Sequence, residues 1–114
     1  MKKIAILACL NANDVCAGCA CLNAVYDRLA HFERYADQDI RLTAFMRCSH
    51  CVKTGDPMQD AGFVEKLDRL IREGTETVHI GICAGRKEED GCPGMRRMAD
   101  AFRARGVEVV WGTH

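Results

Sequence analysis

The chain has few prolines, few aromatic residues and no surplus of either charge. Two prolines, seven rings among Trp, Tyr and Phe, and sixteen basic against sixteen acidic side chains leave it formally neutral. Without a basic stripe or interleaved aromatics, the electrostatic footprint of a nucleic-acid binder is missing. No apolar run approaches the length that spans a bilayer, which argues against a membrane partner. A strand is predicted almost from Met1, leaving no room for a charged segment, an apolar segment and a cleavage site, so the expected location is cytoplasmic. Internal repeats, linkers and low-complexity stretches are absent. No G-x-G-x-x-G or P-loop pattern follows a predicted strand, which speaks against nucleotide binding.

What the chain does have is sulfur. Cysteines occupy positions 9, 16, 19, 21, 48, 51, 83 and 92. In a reducing compartment such clusters serve metal binding or redox chemistry more often than structural disulfides. The chain, 1–114, is of ordinary single-domain size and long enough to bury roughly two-thirds of its unfolded surface without such staples.

The hydrophobic pattern predicts an α/β fold. Lys3 to Cys9 is a near-continuous apolar run, as a strand buried on both faces requires. Leu22, Val25, Tyr26, Leu29 and Phe32 recur at helical spacing, predicting a first helix that turns polar by Asp37. Ile40 to Met46 reads as a second strand, and Gly55 and Pro57 mark the long loop after it. Asp60 can cap a second helix whose inner face is Phe63, Leu67, Leu70 and Ile71, with Gly74 at its end. Thr77 to Cys83 alternates as a third strand. Cys92 is the predicted N-cap of a third helix that opens on Pro93, buries Met95, Met98, Ala99 and Phe102, and stops by Gly106. Val107 to Trp111 closes the pattern as a fourth strand. Strands and helices alternating with short links imply parallel pairing, right-handed crossovers and helices on both faces of one sheet. A flavodoxin-like or half-Rossmann layout with strand order 2-1-3-4 is expected, with its switch point between strands one and three.

Each cysteine falls where a predicted strand has ended and its helix has scarcely begun. Those places share one edge of an α/β sheet, the edge at which such sheets bind ligands. Zinc takes four tetrahedral ligands, and a C-x-x-C pair such as Cys48 and Cys51 supplies two from one tight turn. Cys16 and Cys19 repeat the spacing, and Cys9, Cys83, Cys92 and His114 would arrive singly from other strand ends. Arg47, Lys53, Arg86, Lys87 and the helix N-termini offer positive compensation for crowded thiolates. The same ligands suit an iron–sulfur cluster. Cys48-Ser49-His50-Cys51 after a strand also resembles the active-site turn of thioredoxin-like oxidoreductases. Against that reading, the pair precedes a loop rather than a helix, and no proline precedes a strand to make the usual cis turn. The acidic run Glu88, Glu89 and Asp90 reads as solvated surface rather than as the general base of a hydrolase.

Cys9, Cys16, the C-x-x-C at the second strand end, Cys83, Cys92-Pro93 and the closing Gly112-Thr113-His114 together resemble the CGGC-domain family. The resemblance implies a metal-binding protein, with zinc as the expected ion and Cys9, Cys16, Cys48, Cys51, Cys83, Cys92 and His114 at the family's positions. Cys19 and Cys21 look like additions. The two glycines of the family's name are Ser49 and His50 here. Elsewhere, His79 reads as a satisfied packing histidine, His31 as solvated, and Met95 and Met98 as core.

Overall fold

The computed structural model describes residues 1–49 and 55–114. Four parallel strands, β1 (Lys2–Ala8), β2 (Ile40–Arg47), β3 (Thr77–Ile80) and β4 (Glu108–Trp111), form one sheet in the order β2-β1-β3-β4. This is the expected order. The central place falls to β1, whose Ile4 to Ala8 are buried without interruption, because only a strand covered on both faces can be apolar at every position.

Side chains alternate between the two faces of the sheet. Ala5, Leu7, Val78, Ile80 and Trp111 pack against α2 (Ala61–Glu73) and α3 (Pro93–Ala104). Phe63 of α2 and Phe102 of α3 meet edge to face, 5.6 Å between ring centres. Ile4 and Ile6 point the other way, towards Cys21, Ala24 and Val25 of α1 (Cys19–Asp27) and towards Phe32 and Tyr35. Helices therefore cover both faces.

Helix α2 begins where Asp60 accepts hydrogen bonds from the Gly62 and Phe63 amides and ends at Gly74, whose φ is 81°. Its inner side chains Phe63, Leu67 and Leu70 are buried, each contributing roughly 1.5–3 kcal/mol, which outweighs the ~1 kcal/mol that a glycine costs inside a helix. In α3, Pro93 sits in the first turn and Met95, Met98, Ala99 and Phe102 face inwards, as the sequence implies.

Two elements depart most from expectation. The first helix starts earlier, at Cys19, and stops at Asp27; Arg28 (φ 56°) and Ala30 (φ 49°) are left-handed, and a 3-10 turn follows over Ala30–Tyr35. The Arg28 guanidinium fastens the break by donating to the carbonyls of Val25, Tyr35 and Gln38. Phe32 and Tyr35, three residues apart as a 3-10 repeat requires, are buried, whereas Tyr26 is 76% and Leu29 50% exposed. What reads as one helical stripe is thus two shorter devices. The third strand is also shorter, ending at Ile80. The Gly81 amide still donates to the Leu7 carbonyl, but the Ala84 amide closes a turn on the Gly81 carbonyl and takes Ile82 and Cys83 out of the sheet.

Candidate metal centre

The site begins where β1 ends. Cys9 is extended (φ −71°, ψ 133°) and leads into a 3-10 turn over Leu10–Asp14, so the amides of Cys9 and Leu10 lie just past the last strand bonds. Both donate to sulfur: the Cys9 amide to Cys83 Sγ at 3.1 Å and the Leu10 amide to Cys48 Sγ at 3.2 Å. Because β2 and β3 flank β1, these sulfurs approach from opposite sides and are held by two consecutive peptide groups. Cys48 is brought there by the sheet itself, its amide donating to the Ala8 carbonyl at 3.3 Å. Cys83 is brought by the turn at Gly81, where a Cβ would lie 3.1 Å from the Cys83 sulfur. Amide donors on sulfur are the outer partners that orient a metal-bound thiolate and offset its charge.

A second grouping joins α1 to the end of the chain. Cys21 is buried, and its Sγ lies 3.4 Å from Thr113 Oγ1 and 3.9 Å from His114 Nδ1. Thr113 is itself buried, with its hydroxyl 2.8 Å from His114 Nδ1, so the terminal residues are fastened to the fold. Burial pushes the pKa of the Cys21 thiol above its ordinary value; the Thr113 hydrogen bond opposes this, the charges of Cys83 and Cys16 reinforce it, and Arg47 lowers it.

The sequence reading left Cys21 out of the site, yet its sulfur lies 3.9 Å from His114 Nδ1. Its place beside Ala24 and Val25 on the inner face of α1 was the available signal. Cys19 and Cys21 lie inside α1 rather than before it. Cys16 is exposed and accepts from the Gly18 amide at 3.3 Å. Cys92 is the N-cap of α3 but makes no side-chain cap; it is half-buried against the apolar layer between the sheet and α2 and α3. His50, Cys51 and Lys53 lie outside the described residues. Among the described residues no disulfide joins any cysteines, and no three Cys, His, Asp or Glu side chains are grouped closely enough to hold a metal ion.

His79 stands apart from the site. It is buried in β3, stacked on Phe32 at 4.2 Å, with Nε2 2.8 Å from the Tyr35 hydroxyl. Its Nδ1 is buried and has no partner among the described residues. The expectation of a satisfied histidine therefore holds for one ring nitrogen only, because Tyr35 reaches just that side.

The family model for the CGGC domain matches residues 3–114. The chain belongs to the CGGC-domain family. Comparison with curated proteins and with solved structures returns no match. For a CGGC domain, a cysteine-rich metal-binding role is what membership suggests. The departure from the family's two glycines is visible in part: Ser49 Oγ is buried without a partner among the described residues, and it lies 3.0 Å from where a Cβ on Gly62 would be. This CGGC domain thus fits a serine beside Cys48 by having no side chain at the second position of α2.

Proposed function

We propose that this CGGC domain binds a metal ion, zinc, through cysteine thiolates at the carboxyl ends of its strands. The observation that carries the reading is the pair of N–H···S bonds from Cys9 and Leu10, which hold sulfurs of two different strand ends beside a third. Cys48 and Cys83 are the anchoring donors, and Cys9, Cys16, Cys51, Cys92 and His114 are the remaining candidates for a tetrahedral set. The donor chemistry fits: thiolates and one imidazole are the usual ligands of structural zinc. When bound, such an ion supplies charge compensation and ties separate segments together.

The test is elemental analysis of protein purified without chelator or oxygen. Stoichiometric zinc is expected, falling by more than half in Cys48→Ser and in Cys51→Ser. Metal-free protein of unchanged stability in both variants would overturn the reading. An iron–sulfur cluster would use the same thiolates, and iron content with visible absorption in the same preparation identifies it.

A further inference from the structure

We propose that the cavity between α2 and α3, beside their first turns, binds a small zwitterion: a free α-amino acid with an apolar side chain. Phe63 of α2 meets Phe102 of α3 edge to face and closes the layer there. Towards the start of α3 the two helices leave a gap. Gly94, buried in the first turn of α3, brings no side chain to it, and Arg97 and Met98, three and four residues further on, line it from the same face of the helix. Phe63 and the 3-10 turn Pro57–Gln59 form the other side, and Ser49, just past β2, joins them. The space is about 490 Å³, a volume within the roughly 300–1,000 Å³ of small-molecule sites.

Two observations point to a ligand and to its chemistry. Ser49 Oγ is buried without a partner among the described residues, and its residue lines this space. A buried hydroxyl left unsatisfied costs roughly 1–3 kcal/mol, which a polar group of a bound molecule would offset. The lining also carries both signs of charge beside an apolar wall. Arg97 offers a guanidinium, whose forked donors match a carboxylate. Asp56 and Asp60 offer carboxylates fixed by the backbone: Asp56 Oδ1 accepts from the Met58 amide and Asp60 Oδ1 from the Gly62 amide, both at 2.9 Å. An ionised carboxylate has lone pairs for several donors, so each can also receive an ammonium group.

The charge pattern selects the class. An anion without a positive group would meet the two aspartates, and a cation without a negative group would meet Arg97. A molecule bearing both charges answers both, with its carboxylate on Arg97 and its ammonium beside Asp56 and Asp60. Phe63, Met98 and Pro57 then receive an apolar side chain. None of these residues is a proposed metal ligand, so the reading stands or falls separately from zinc.

The experiment titrates the full chain in reductant with L-leucine, into the millimolar range, and follows backbone amides by residue-resolved NMR. Saturable shifts are expected, centred on 57–63 and 94–98. The analogue 4-methylpentanoate lacks the ammonium and L-leucinamide lacks the carboxylate; each should bind at least about tenfold more weakly, the lower end of what a hydrogen bond between charged groups contributes. Arg97→Leu should weaken leucine by a similar factor and leave leucinamide unchanged. Asp56→Asn keeps a capping group for its turn and should weaken leucine while leaving 4-methylpentanoate unchanged. In Ser49→Ala leucine affinity should fall ~5-fold without loss of ligand-free stability in urea, which separates a lost contact from a damaged fold. No saturable shifts with leucine, shifts centred outside these two segments, or either analogue binding as tightly as leucine would each overturn the proposal.

Discussion

His79 shows how a single residue can couple stability to acidity. Burial drives its pKa from 6.5 to about 3, and the positive charges of Arg34, His31 and Lys2 push in the same direction. The unfolded chain therefore takes up the proton first. Stability is full above the unfolded pKa of 6.5 and declines as pH falls towards 3. Between pH 6.5 and 5 the loss should be about 2 kcal/mol, from a limiting slope of ~1.4 kcal/mol per pH unit. His79→Gln keeps a polar group for Tyr35 and removes the titration. In urea unfolding with chelator and reductant, the variant should be less stable at pH 7 but flatter with pH, so that the gap to wild type closes by about 2 kcal/mol at pH 5. A gap of constant size would show that His79 is not held neutral. The sequence placed this histidine in a strand and in the core, which the alternation of Thr77 to Ile80 made plain. Its partner Tyr35 was not legible, because the pairing depends on a turn that brings together residues 44 positions apart.

At the scale of elements, α2 and α3 were legible because two independent signals agreed: an apolar stripe of helical period, and end residues with the right chemistry at each boundary. The segment after Asp27 was misread because a 3-10 repeat of three residues is close to the helical repeat of 3.6. The break there rests on two left-handed residues that are not glycine, Arg28 and Ala30. Arg28 is compensated by its three carbonyl contacts; Ala30, with only a methyl group, has no such compensation. A left-handed L-residue costs roughly 1–2 kcal/mol, and glycine returns roughly 0.5–1 kcal/mol of that as chain entropy. Ala30→Gly should therefore raise stability by about 0.5–1 kcal/mol, read as a higher urea midpoint at unchanged slope. Ala36, at the other end of the same turn with φ −52°, is the control: Ala36→Gly should lower stability by about 0.5 kcal/mol. Equal effects of the two substitutions would mean that the bend is not where the strain lies.

Across the whole molecule, alternating strands and helices implied parallel pairing, the expected strand order is the one observed, and parallel strands put Cys9, Cys48 and Cys83 past the same edge of the sheet. The meeting of those three segments was legible. Which sulfur meets which group was not, since it depends on where each strand stops: β3 ends at Ile80, three residues before Cys83, and the turn at Gly81 carries the thiol back over β1. The resulting arrangement makes a prediction that does not require a metal. If the Cys9 amide is bonded to Cys83 Sγ and the Leu10 amide to Cys48 Sγ, each sulfur protects one amide from hydrogen exchange. Removing a hydrogen bond worth about 1 kcal/mol should raise the exchange rate of its donor ~5-fold. Cys83→Ala should thus speed exchange at Cys9 and leave Leu10 alone, while Cys48→Ala should do the reverse, read by residue-resolved exchange in chelator. Metal added to wild type should slow both amides together, because binding stabilises only the form in which both sulfurs are in place. Loss of protection at both amides in either variant would instead mean that the edge opens as one unit, with neither sulfur held by its own peptide group.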